Sequence, residues 1–261
     1  PLTVGAEVAI LPTAVVRDGQ QLQQQLQGAP PSSNALPSDQ AATIMQATPA
    51  TWQMLLAASW STESAPTAMP ITMLCGGEGL PTTVAQQLSA SGSDLWNLYG
   101  PTEATIWSTR FQVEPDYCTN DQTDDRTNDD TKSLVANGRP IANTQIYILD
   151  AHLQPVPVGV PGELHIGGVG LARGYLHQPD LTAEKFISNP FGKGRLYKTG
   201  DLARYDADGN LNYLGRLDHQ TKVRGFRIEL GEIEAVLRRY GQVQQAVVVV
   251  HGDNHYDDPS D

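Results

Sequence analysis

Two short turns in this chain carry residues that could do chemistry. One is Gly76-Gly77-Glu78 and the other is Tyr99-Gly100-Pro101-Thr102-Glu103. Each follows an apolar run of strand character, Ile71–Cys75 (ITMLC) and Asp94–Leu98 (DLWNL). A glycine turn at a strand end lets backbone N–H groups approach a flat ring or a phosphate closely. Side by side at the ends of neighbouring strands, two such turns make a ligand cleft. The two cysteines, Cys75 and Cys118, are too few for a disulfide framework or a zinc set. A reducing cytoplasm is therefore the expected setting.

The elements that must hold these turns are legible nearby. Ala42–Ala47 (ATIMQA) is a strand candidate, and Thr48-Pro49 then reads as an N-cap with proline at the first helical position. Trp52, Leu55, Leu56 and Trp60 follow at helical spacing. A second helix begins at Pro81, with Val84, Ala85 and Leu88 on one face and Gly92 beyond its end. The order β-α-β-α-β calls for parallel strands with helical crossovers, an α/β class. Ligands of such sheets bind outside the carboxyl ends of the strands, where GGE and YGPTE fall.

Further on the character changes to β with tight turns. Gln145–Leu149 and Glu163–Ile166 are strand candidates, and Arg204–Gly215 reads as a hairpin around Asp208-Gly209. Past Arg216 a helix is expected over Glu232–Tyr240, then a buried strand over Ala246–Val250. That pair looks like the start of a smaller α+β domain. Pro30–Gln40 reads as a surface loop.

Composition narrows the class of function. Hydrophobic residues make up 39%, with 24 Gly and 18 Pro, which suits a turn-rich globular protein rather than a coiled coil or a disordered chain. No run approaches the roughly 18–20 apolar residues of a membrane span, and the first residues lack a signal-peptide pattern. No membrane partner is expected. The formal charge is −12, of which Glu114–Lys132 holds −5 and Asp253–Asp261 holds −4. A near-neutral body with acidic loops argues against a nucleic-acid partner, which would want a basic face.

Four longer motifs carry a resemblance. NLYGPTEAT (Asn97–Thr105), GELHIGGVGLARGYLHQPDLTAEKF (Gly162–Phe186), YKTGDLARY (Tyr197–Tyr205) and GRLDHQTKVRGFRIELGEIE (Gly215–Glu234) resemble the signatures of adenylate-forming enzymes. The last looks like the adenylation domains of non-ribosomal peptide synthetases rather than the acyl-CoA ligases and luciferases. The resemblance implies a parallel βαβ layer and a β-rich region of a large domain over residues 1–217. The start of a small domain would follow over 218–261, hinged near Asp218. It implies a two-step reaction: ATP and an amino acid give an aminoacyl-adenylate and pyrophosphate, then the acyl group passes to the phosphopantetheine of a carrier protein. Carrier and condensation domains are the implied partners.

Roles follow from the resemblance residue by residue. Glu103 would help hold Mg²⁺ and Thr102 would reach the α-phosphate, both as catalytic groups. Gly76, Gly77, Glu78, Asn97, Tyr99 and Gly100 would surround the nucleotide, Tyr99 facing adenine and Asn97 reading its edge. Asp201 would accept hydrogen bonds from the ribose diol, and Arg216 would bind ribose or phosphate. Lys222 and Arg224 fall in a segment that forms a mobile loop in the family. The amino-acid pocket carries over to Leu74, Gly76, Leu98, Ile106 and Trp107, with Gln53 added, a set that resembles glycine-activating pockets.

The family's glycine-rich, Lys-containing phosphate loop, its distal catalytic Lys and the Asp that binds the amino group have no counterpart here. The expectation is a fragment that is inactive alone. An acyl-CoA ligase-type fragment and a non-catalytic remnant stay open as alternatives.

Overall fold

The computed structural model describes residues 10–26, 42–58, 71–115, 134–218, 220–223 and 226–240, with positions 5, 8, 117, 242, 243 and 245–249. The Pro30–Gln40 loop, Trp60, Cys118, Arg224, most of the acidic run and the tail lie outside the described residues.

Helices α1 (Thr13–Val16) and α2 (Gly19–Leu26) precede strand β1 (Ile44–Ala47), helix α3 (Pro49–Ala57), strand β2 (Thr72–Gly76), helix α4 (Thr82–Ser89) and strand β3 (Leu95–Tyr99). A single 3₁₀ turn, Thr102–Ala104, leads to β4 (Thr109–Val113), and β5 (Arg139–Pro140) completes the first sheet. Its order is β1-β2-β3-β4-β5. The first three strands are parallel, and β4 and β5 are antiparallel to their neighbours. The parallel expectation holds because helices make the crossovers. The first of them is capped: the Thr48 hydroxyl accepts from Thr51 N–H at 3.4 Å, with Pro49 at the first turn. Side chains alternate across the sheet. Met73, Cys75 and Leu95 join Leu22, Trp52, Leu55, Val84 and Leu88 in one core, so the helices cover that face.

The second sheet is antiparallel. Strands β6 (Thr144–Leu149), β7 (Gly162–Gly168), β8 (Phe186–Ser188), β9 (Arg195–Tyr205) and β10 (Leu211–Arg216) are interrupted only by helix α5 (Pro179–Lys185). The order is β10-β9-β7-β6, with β8 on β9. The expected hairpin closes where Asp206 N–H donates to Asn210 O at 3.0 Å. Its core of Ile148, Leu164, Ile166, Ala203 and Leu211 also takes in Tyr99 and Ala104 from the far end of the first sheet. The sheets therefore meet where the YGPTE turn leaves β3. Register shifts in β7 (Glu163/His165) and β10 (Tyr213/Gly215) lie beside this junction. Such bulges re-aim side chains next to sites.

Beyond β10 the structure departs from expectation. The stretch holding Lys222 is a hairpin, β11 (Gln220–Val223) with β12 (Phe226–Glu229), rather than a loop. Helix α6 spans Leu230–Arg238, beginning two residues early. Residues 246–249 form no strand. An apolar run becomes a strand only against a partner ladder; here Val248 N–H donates instead to Glu234 Oε1 on α6, at 3.0 Å.

Candidate active site

A cleft of about 320 Å³ opens where the sheets meet, lined by Gly77, Glu78, Gly79, Leu98, Tyr99, Gly100, Asn137, Asp201, Tyr213 and Arg216. Six of the residues expected to surround a nucleotide are thus brought together: Gly77, Glu78, Tyr99, Gly100, Asp201 and Arg216. Three form a chain. The Tyr99 hydroxyl donates to Asp201 Oδ2, and Arg216 Nη1 donates to Asp201 Oδ1 at 2.7 Å. Burial first, then the Asp201 charge, holds the Tyr99 phenol well above its usual range, so it remains a donor. The same two causes push Tyr213 up to about 12.

Arg216 is more fully bonded than its sequence position suggests. Nε and Nη2 clamp both oxygens of Asp218 at 2.6 Å, and Nη2 also reaches Thr199 O at 3.1 Å. Burial opposes its charge, but Asp218 and Asp201 outweigh that and hold it protonated. Gly200 permits this packing: it has φ +73°, and a Cβ there would stand 2.8 Å from Arg216 Nη2. The nucleotide candidates Asp201 and Arg216 are therefore tied directly to the hinge candidate Asp218.

The turn after Tyr99 is strained. Thr105 and Ile106 both have positive φ, 60° and 70°, an unusual state for a β-branched residue. Strain of this kind persists only where neighbours over-determine it, and it gathers at functional sites. Here Thr105 N–H closes on Thr102 O at 3.2 Å and its hydroxyl bonds Gly170 O at 2.6 Å. Thr102 is exposed; Glu103 is buried, 6% exposed, with Oε1 accepting from the Tyr175 hydroxyl at 2.7 Å. Among the described residues no group of three or more His, Cys, Asp or Glu could hold a metal alone. A lone carboxylate is compatible with a cation such as Mg²⁺, which takes one or two carboxylates and completes its shell from water and substrate phosphates. Glu103 would supply such a carboxylate.

The strand-borne amino-acid pocket candidates, Leu74, Gly76 and Leu98, share one face. Register pairs Leu74 with Trp96 and Gly76 with Leu98, opposite the helices. Trp107 stacks over Gly76, where a Cβ would stand 2.6 Å from its Cζ3. Ile106 is 57% exposed. The structure does not bring Gln53 into the group: it is exposed on α3, whose buried Trp52 and Leu55 pack on the other face. The glutamine in register with Leu74 is Gln46 of β1. Period-2 alternation backwards from Ala47 is the signal that points to it.

Asn97 also differs from the adenine-reading expectation. Its amide nitrogen donates to Val135 O and Ala136 O at 3.2 and 2.9 Å, fixing the strip that carries Asn137. Strand parity explains this, since Asn97 faces the helix side with Leu95. Asn137, Tyr213 and Tyr175 escape a sequence reading because long-range folding alone brings them here, whereas Gly79 follows directly on the GGE turn.

The sequence pattern of AMP-binding enzymes matches residues 1–176. A dimodular nonribosomal peptide synthase of Bacillus subtilis (strain 168) is 44% identical over 97% of this chain and 10% of its own length. One of the linear gramicidin synthase proteins of Brevibacillus parabrevis is 54% identical over 68% of this chain and 3% of its own. The chain thus spans a tenth or less of these relatives. Among solved structures, a four-domain nonribosomal peptide synthetase bound to AMP and glycine matches with TM-score 0.64 and 42% identity, over 94% of this chain and 16% of that one. An NRPS protein containing adenylation and PCP domains matches with TM-score 0.71 and 26% identity, over 91% and 43%. Among the described residues, no helix is long and apolar enough to cross a membrane.

Proposed function

The chain belongs to the AMP-binding enzyme family, among the adenylation domains of nonribosomal peptide synthetases, and on that premise we propose that it serves ATP-dependent activation of glycine. One observation carries the choice of amino acid: the Trp107 ring fills the space above Gly76 that a substrate side chain would need. Gln46, Leu74 and Leu98 share that face. A solved relative bound to AMP and glycine supports the reading.

In the first step an amino-acid carboxylate oxygen bonds to the α-phosphorus of ATP, and the bond to the pyrophosphate oxygen breaks. Mg²⁺, when bound, neutralises phosphate charge during that displacement. The chain's own residues orient the partners. Asp201, fixed by Tyr99 and Arg216, would accept from a ribose diol. The Arg216 charge, held by two carboxylates, stabilises nearby phosphate. Glycine turns at 76–77 and 100 let backbone approach the nucleotide, and Glu103 would hold the cation. In the second step a carrier's phosphopantetheine thiol bonds to the acyl carbon and AMP leaves. A relative containing adenylation and PCP domains supports that partner.

The test is ATP–pyrophosphate exchange by the protein carrying this chain, across a panel of amino acids. Glycine should lead and alanine should be the chief competitor, because one methylene is worth only about 1–3 kcal/mol in a pocket. Preference for a large aromatic or charged amino acid overturns the assignment. Activity with acyl or aryl acids alone would favour a CoA ligase-type role instead.

A further inference from the structure

We propose that Tyr175 is a positioning residue for the Glu103 carboxylate, an inference that rests on reading Glu103 as the cation's ligand. The Tyr175 hydroxyl donates to Glu103 Oε1 at 2.7 Å across 72 residues of sequence. Such a bond stops the carboxylate rotating and commits one of its oxygens, so the orientation presented to a cation is set before substrate arrives. A carboxylate at the end of a flexible side chain otherwise has to be ordered during binding.

The segment carrying Tyr175 is built to hold that hydroxyl. Ala172 N–H donates to Glu103 O at 2.8 Å, and the Thr105 hydroxyl donates to Gly170 O at 2.6 Å. Residues 170–172 are thus joined to the strained turn on both sides of the carboxylate. From behind, Arg195 donates to Ala172 O and Arg173 O at 2.8 and 3.0 Å. The Tyr175 N–H is taken by Thr182 Oγ1 at 2.9 Å, and its ring meets Phe186 edge-on, 5.7 Å between centroids. Phe186 is in turn covered by the Arg195 guanidinium at 5.2 Å. Backbone, ring and hydroxyl are each fixed by different partners: the hydroxyl donates to Glu103, the buried acid of the YGPTE turn, and lies 3.4 Å from the Tyr197 hydroxyl.

The test measures Mn²⁺ affinity calorimetrically in the presence of a non-hydrolysable ATP analogue, using the full protein that carries this chain. Groups that orient a metal ligand typically contribute about 10- to 100-fold in affinity or activity. Tyr175→Phe keeps the ring against Phe186 and removes only the hydroxyl. It should weaken Mn²⁺ binding at least about tenfold and lower kcat for exchange by a like factor, with the KM for the amino acid unmoved. On a Glu103→Gln background, Tyr175→Phe should add nothing. As a readout in the unmutated fold, 3-fluorotyrosine at position 175 should show a ¹⁹F shift when Mg²⁺ is added to the protein holding the analogue. If Glu103→Gln weakens Mn²⁺ binding but Tyr175→Phe does not, or if the two effects multiply, Tyr175 does not act through Glu103 and the proposal falls. A ¹⁹F signal indifferent to Mg²⁺ overturns it equally, even where the phenylalanine variant does not fold. Unchanged binding in Glu103→Gln overturns the ligand reading itself.

Discussion

The Trp107 ring closes over Gly76 so tightly that a Cβ at position 76 would lie 2.6 Å from Cζ3 and 2.8 Å from Cη2. The same Cβ would stand 2.7 Å from Leu98 O, a backbone atom that cannot swing aside. Two separate sequence features make this contact. Strand β2 ends on a glycine, and the left-handed pair Thr105–Ile106 reverses the chain to deliver the indole from the other side of Gly100. The contact therefore belongs at once to packing and to the shape of the substrate face.

Trp107→Ala separates those contributions. Removing the indole opens the face above Gly76 without moving a strand. In an exchange panel, the ratio of kcat/KM for alanine and larger residues over glycine should rise by about tenfold or more, the worth of roughly 1–3 kcal/mol per methylene accommodated. An unchanged ratio would mean that the indole does not shape the pocket.

Gly76→Ala goes the other way. The added methyl meets both the indole and a fixed carbonyl, so the strand or the Trp107 turn must shift, at about 1–3 kcal/mol for overpacking. Urea denaturation should show a lower midpoint at unchanged slope, and combining the change with Trp107→Ala should restore part of the loss. Full stability in the single variant would show that the turn yields freely.

Asp201→Asn would remove the charge shared by Tyr99 and Arg216 while keeping the volume. Arg216 keeps its grip on Asp218, so the fold should survive. Hydrogen bonds to charged groups are worth about 1.5–3 kcal/mol, and losing them here should weaken AMP binding roughly tenfold or more. Calorimetric titration with AMP checks this; unaltered affinity would remove Asp201 from the nucleotide site.

What is legible in the sequence follows the range of the forces involved. Strands β1 to β3 and helices α3 and α4 can be read because caps, prolines and apolar spacing are local signals, as Thr48-Pro49 shows. Asp201 and Arg216 can be named from their motifs, but their bond to each other forms across the β9–β10 ladder. Gln53 stands in for Gln46 in a sequence reading because choosing between a helix face and a strand face needs the register with Leu74. Tyr175 is invisible for a stronger reason: its partner Glu103 is on a different sheet's turn, and nothing local marks the pair. Residues 246–249 form no strand because apolarity describes a tendency to be buried, and pairing needs a neighbour.

The second sheet also carries a pH dependence under the Asp201 turn. His165 is fully buried in β7, with Nδ1 3.0 Å from Glu163 O. A carbonyl only accepts, so the proton of the neutral ring sits on Nδ1, and Nε2 is buried with no hydrogen-bond partner among the described residues. Burial is the main cause holding the imidazole below its usual 6.5; Glu163 opposes the shift and Lys198 reinforces it. The Glu163 carboxylate stands 3.9 Å from Nε2, too far for a hydrogen bond to rescue the charged form. The unfolded chain takes up a proton near 6.5, whereas the folded chain does so only at lower pH. Between those two values the unfolded state binds more protons, so stability falls as pH drops through 6.5 and is complete above it. Replacing the imidazole with an aliphatic group of similar size, His165→Leu, deletes that contribution. Urea midpoints at about pH 7.5 and about pH 5.5 should differ more for the wild type than for the variant. Parallel midpoints in the two proteins would show that the folded ring binds its proton as readily as the unfolded one, and the lowered affinity of the buried imidazole for a proton would be wrong.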